Sequence, residues 1–144
     1  MKELSPEENK KLNDFARGAW DLVILLDEVI IYHSDKEDLS GQGIKPVVDF
    51  IRKFGTSLKN VVIYDKIVGQ AVALLFVFLK VKKVYGVLGS EKAEKVLKKY
   101  QIPYLFLKIV PYISNRDKTG PCPFEIKAER KTPEEFWKMV SEEC

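Results

Sequence analysis

The chain has 144 residues, 46% of them hydrophobic, which is enough for one compact domain around a single well-filled core. Its 24 basic and 21 acidic residues leave a formal net charge of +3, and lysines alternate with glutamates, so binding to nucleic acid through a concentrated basic face is not expected. Two cysteines and one histidine exclude a disulfide framework and most zinc-ligand sets.

The longest apolar run, AVALLFVFL at 71–79, falls short of the roughly 20 residues that a bilayer span needs. The opening MKELSPEENKK is charged throughout and lacks the apolar stretch of a signal peptide. A soluble cytoplasmic protein with no membrane partner is therefore expected. The Lys- and Glu-rich, Cys- and Met-poor composition would also suit a protein from a hot environment.

Ser5-Pro6-Glu7-Glu8 reads as a helix start, with Ser as N-cap, Pro in the first turn and Glu closing a capping box; Leu12, Phe15, Ala16 and Ala19 follow at helical spacing. LVILLD (22–27) and VIIYHS (29–34) are two β-rich runs with Asp27-Glu28 between them, and they predict a hairpin whose turn lacks the usual glycine. The polar loop DKEDLSGQG (35–43) leads into a helix that Pro46 opens and Gly55 closes. NVVIYD (60–65) predicts a short buried strand. The segment after Asp65 is too long for one strand and reads as a central helix buried on most sides.

KVYGVL (83–88) predicts the next strand, Ser90 caps a helix that Pro103 stops, and YLFLKIV (104–110) is the fifth strand. Thr132-Pro133 with Glu135 repeats the capping signature before a last helix. Phe76, Phe78, Tyr104 and Phe106 belong to the core, and no internal repeat, linker or low-complexity tract appears. Strands alternating with helices after an initial hairpin predict a three-layer α/β/α sandwich with a five-stranded mixed sheet, a single domain over 1–144.

In such sheets ligands gather beyond the carboxyl ends of the strands, where helix N-termini point. Three stretches qualify. Ser40-Gly41-Gln42-Gly43 can turn backbone N–H groups toward an anion ahead of its helix, although a bland two-glycine loop fits the same residues. Asp65 and Lys66, with Gly69 and Gln70 behind them, mark the junction of the third strand with the buried helix. A simple helix cap fits Asp65 equally, while Lys66 can offer a positive charge to a phosphate or carboxylate.

The third stretch is NRDKTGPCPFE (115–125). Arg116 supplies a planar fork for an anion, Asn115 adds polar contact, and Asp117 can steady the fork or act as a base. Pro121 and Pro123 stiffen the backbone around Cys122, as a positioned nucleophile or a small buried hydrophobe would each require. The base such a thiol needs is distant in sequence, the sole histidine being His33, which is read as a surface or half-buried residue. Phe124 and Glu125 are read as anchors of the loop.

The runs GQGIKPVVDF, YDKIVGQAVALL, VYGVLGSEKAEKVL and VPYISNRDKTGPCPFE resemble domain of unknown function family 1893 over nearly the whole chain. The resemblance implies a cytidine deaminase-like fold, and folds of that kind often assemble as homo-oligomers. Zinc deaminases place a His or Cys, then a Glu two positions on, at one helix start and Pro-Cys-x-x-Cys at the next. Here those starts read GQGIKPVV and YDKIVGQAVA, and Pro121-Cys122 has no second cysteine after it. No zinc site can be built from these residues, and no cofactor is expected.

The function expected from the sequence is binding of a small anionic ligand, a nucleotide or phosphorylated metabolite. Lys66, Arg116 and the Gly41–Gly43 backbone would meet its charge, while Asp65 and Asp117 orient polar groups. A Cys122-dependent enzyme and a structural or interaction module with no small-molecule ligand are the alternatives.

Overall fold

A computed structural model describes residues 5–35, 44–113 and 123–143. The first helix, α1 (Pro6–Arg17), begins as its sequence requires. The Glu8 N–H donates to Ser5 Oγ at 3.1 Å and the Ser5 N–H donates to the Glu8 carboxylate at 3.2 Å, a reciprocal cap. β1 (Trp20–Leu26) and β2 (Val29–Asp35) form the expected hairpin. Asp27 and Glu28 turn the chain at φ of 50° and 67°, the left-handed geometry that matches the twist of the flanking strands and that glycine more often supplies.

α2 (Lys45–Phe54) opens at Pro46 and closes at Gly55, whose φ of 69° and N–H bond to the Ile51 carbonyl at 2.7 Å end the helix. β3 (Val61–Val68) continues past the Asp65 at which the sequence placed its end, because pairing to strands on both sides holds the backbone extended. α3 (Gln70–Leu79) therefore begins later than expected, and Asp65 lies within a strand and not at its cap. β4 (Lys83–Ser90) passes directly into α4 (Glu91–Lys99), where Ser90 Oγ accepts from the Ala93 N–H at 2.9 Å. β5 (Tyr104–Val110) ends the sheet, a short α5 (Pro123–Ala128) follows, and α6 (Pro133–Glu143) starts on the reciprocal Thr132–Glu135 cap.

The five strands run in the order β2-β1-β3-β4-β5. β1 is antiparallel to both neighbours, while β3, β4 and β5 are mutually parallel. It follows that β2, β3, β4 and β5 share one direction and β1 alone opposes them. On one face α2, α3, α4, α5 and α6 pack with Ile24, Ile63, Val84 and Phe106 into the main core. On the other face α1 lies over β3 and β4, with Leu12 against Tyr85 and Leu105. This is a three-layer α/β/α sandwich.

Phe50, Phe76 and Phe136 are fully buried, and truncating any one to alanine would cost about 3–5 kcal/mol in lost contacts and cavity. Because α1 packs mainly on β3 and β4, an open cavity of about 1220 Å³ lies between that helix and the hairpin, lined by Phe15, Trp20, Val23, Leu25, Tyr64 and Tyr85 among others. No helix among the described residues is long and apolar enough to cross a membrane.

Candidate functional site

The common direction of β2, β3, β4 and β5 brings their carboxyl ends to one end of the sheet. Short of that end the pairing sets Ser34 beside Leu22, Leu22 beside Asp65, Asp65 beside Gly86 and Gly86 beside Phe106, a single row that crosses β2 near its carboxyl end and β3, β4 and β5 in mid-strand. Residues paired in this way point to the same side. Leu22 and Phe106 belong to the main core, so Ser34 and Asp65 face the α2–α3 layer.

Asp65 is a buried acid whose Oδ1 accepts from the Ile67 N–H at 3.3 Å. Removal from water pushes its carboxyl up to about 8; the Ile67 amide partly offsets that, and the nearby Asp21 adds to it. The shift favours the protonated form of Asp65, which donates through one oxygen while it accepts through the other. Ser34 Oγ and Gln70 Oε1 are both buried and lack a hydrogen-bond partner among the described residues. Buried polar atoms are seldom left in this state unless a ligand or water answers them.

The start of α3 is closed from a distance. Gln70 and Ala71 donate their N–H groups to the two carboxylate oxygens of Glu125, each at 2.8 Å. These are orphan donors at the positive end of a helix, and a carboxylate is the group best suited to them. Position 69 must be glycine for this to happen, because a Cβ there would stand 1.9 Å from Glu125 Oε1 and 2.9 Å from Ile113 Cγ1. Burial raises the Glu125 carboxyl above its ordinary value, against the two amides and Lys92, which favour the charged form. Glu125 and the core-packed Phe124 are thus loop anchors, as their sequence suggested.

The residues singled out from sequence divide into three groups. Asp65, Gly69 and Gln70 lie together around the junction of β3 and α3. Lys66, next to Asp65 in the strand, points to the opposite face, where its ammonium donates to the Gly18 carbonyl and lies 5.7 Å from the centre of the Phe15 ring. Ser40, Gly41, Gln42, Gly43, Asn115, Arg116, Asp117 and Cys122 fall outside the described residues. His33 is exposed and stacks on Trp20 at 4.0 Å.

Sequence reasoning missed Ser34, and the signal was available: a small polar residue at an inward-facing position of a β-rich strand. It also missed Asp21, which an irregular register at the start of β1 brings close to Asp65.

The family model described as Domain of unknown function (DUF1893) matches residues 10–144. The chain belongs to the DUF1893 family. The crystal structure of a DUF1893 family protein from Thermotoga maritima shares its fold, with a TM-score of 0.79 at 23% identity, covering 99% of this chain and 93% of that one. No curated protein matches the chain. Within this DUF1893 domain, YDKIVGQAVALL supplies Asp65, Gly69 and the two N–H donors, and VPYISNRDKTGPCPFE ends on the Glu125 that receives them.

Proposed function

We propose that the protein binds a small anionic metabolite, such as a nucleotide or sugar phosphate, beyond the carboxyl ends of β2 to β5. The observation that carries this reading is a pair of buried polar atoms, Ser34 Oγ and Gln70 Oε1, without a hydrogen-bond partner among the described residues, with the buried acid Asp65 in the same row as Ser34 and on the strand that leads to Gln70. A buried hydroxyl, a side-chain amide carbonyl and a buried acid suit the polar, uncharged part of a ligand. Further support comes from the residues flanking the polar stretches. Ser34 lies just before the stretch with Ser40–Gly43, while Ile113 and Glu125, on either side of the stretch with Arg116, both press on Gly69.

Lys66 is spent on Gly18, and the α3 amides are spent on Glu125, so the ligand's charge falls to Arg116 and the Gly41–Gly43 backbone. The fold likeness to cytidine deaminases belongs to the same reading, as a scaffold without their metal chemistry. A zinc ion does not fit: α2 starts on Ile44-Lys45-Pro46 and α3 on Gly69-Gln70-Ala71, with no thiolate, imidazole or carboxylate among them.

Thermal-shift and calorimetric titration against a panel of nucleotides and sugar phosphates tests the proposal. A saturable shift is expected, abolished in Arg116→Ala, weakened in Asp65→Asn and retained in Lys66→Ala. Absence of any saturable shift across the panel, or binding indifferent to both Arg116→Ala and Asp65→Asn, refutes it.

A further inference from the structure

β2 is an outer strand, paired on one side to β1 and on the other to no strand among the described residues. An open edge of this kind offers backbone donors and acceptors to any second strand, and proteins that stay monomeric guard it with lysine, proline, a bulge or a cover. The other outer strand, β5, carries the exposed Lys108 along its length. β2 is guarded only by the extra residue Ile31, which interrupts its register with β1, and by Asp35 at its last position. Its run Val29-Ile30-Ile31-Tyr32-His33-Ser34 contains no Lys, Arg, Asp, Glu or Pro. Val29 and Ile30 are 62% and 47% exposed, high values for adjacent β-branched residues.

The sheet surface behind this edge is only partly covered, since α1 packs mainly on β3 and β4 and leaves an open cavity beside the hairpin. The charges on its rim are mixed: Lys11 and Lys82 against Asp14, Asp27 and Glu28.

We propose that β2 is a self-association edge, along which two copies of the chain pair β2 with β2 antiparallel about a two-fold axis and join their sheets into one. A second copy fits better than a polyanion or a uniformly charged peptide. A two-fold contact repeats the same strand on both sides, and an edge whose one charged residue is the terminal Asp35 has little to offer a charged partner and pairs with itself without repulsion. A register centred on Tyr32 sets Ile31 opposite His33 and Ile30 opposite Ser34, so that no like charges oppose. The strand has 7 residues, about 24 Å of pairing at roughly 3.4 Å per residue. The exposed Val29, Ile30 and Trp20 extend the contact toward the about 800 Å² per partner that stable dimers bury.

Light scattering on the eluting full-length chain, over a dilution series from tens of micromolar, reads the result. Twice the chain mass is expected for the wild type and for Ile67→Lys, a 51% exposed position on β3. The single-chain mass is expected for Val29→Lys/Ile30→Lys, with far-UV circular dichroism unchanged. If the double variant fails to fold, Val29→Lys alone replaces it, with hydrogen exchange at the β2 amides expected to rise. A wild type of single-chain mass at every concentration, a dimer that survives both lysine variants, or one broken instead by Leu107→Lys on β5 overturns the proposal.

Discussion

Replacing Asp65 by Asn changes one property of the buried row and leaves its shape. The asparagine carbonyl can still accept from the Ile67 N–H, while the group can no longer ionise. In the folded chain the Asp65 carboxyl loses its proton only near 8, against an ordinary 3.8. Between those values the folded state holds a proton that the unfolded state has released, so stability falls as pH rises through the window and levels off above about 8.

At about 1.4 kcal/mol per tenfold change in proton affinity, the loss from about pH 5 to pH 9 is on the order of 4 kcal/mol. Urea unfolding of both proteins at about pH 5, 7 and 9 separates this effect from the other titrations, which the two share. The variant is expected to match the wild type near pH 5 and to exceed it progressively toward pH 9. Parallel curves, or a variant weaker at pH 9, would show that Asp65 is not held protonated by burial.

Other substitutions probe the supports of the site. Glu125→Ala removes two charge-assisted bonds and strands the α3 amides, for an expected loss of about 2–4 kcal/mol, or roughly 6–12 °C in a thermal melt. Gly69→Ala should approach the same loss by pushing the carboxylate away, and should add little in the Glu125→Ala background. Lys66→Ala should cost about 1 kcal/mol in chemical denaturation through the lost contact with Gly18, without changing ligand affinity. Lys83 at 2.6 Å and the Tyr85 hydroxyl at 2.5 Å pull the Glu8 carboxyl down to about 2, so its contribution is complete above 4.5 and is lost as pH falls toward 2. Glu8→Gln should cost about 1 kcal/mol at pH 7, discounted because the pair is partly in water, and should flatten acid unfolding measured over that range.

The helix starts were legible because their chemistry is local: Ser5 with Glu8, Ser90 with Ala93 and Thr132 with Glu135 each close within three residues. The hairpin was legible from two β-rich runs around a short polar pair, even without glycine. The end of β3 was not, because Asp65 and Lys66 look like a strand's polar exit, and only pairing to Leu22 and Gly86 keeps them extended.

The common direction of β2 to β5 followed from the element order. The sharing of work there did not: two adjacent polar residues on a strand face opposite ways, and that alternation took Lys66 to the α1 side. The carboxylate on α3 came from 55 positions away in the chain, a distance at which no local pattern operates.

Closure of α3 by Glu125 also bears on how the molecule is made. A ribosome that has delivered everything through β5 has exposed the most apolar helix of the protein with its two leading amides unanswered, and the Ala128, Phe136 and Val140 that help bury it are still to come. The interior cannot be sealed until the last stretch of the chain arrives, so chains cut short by a premature stop should meet chaperones and proteases with a sticky, half-dressed centre.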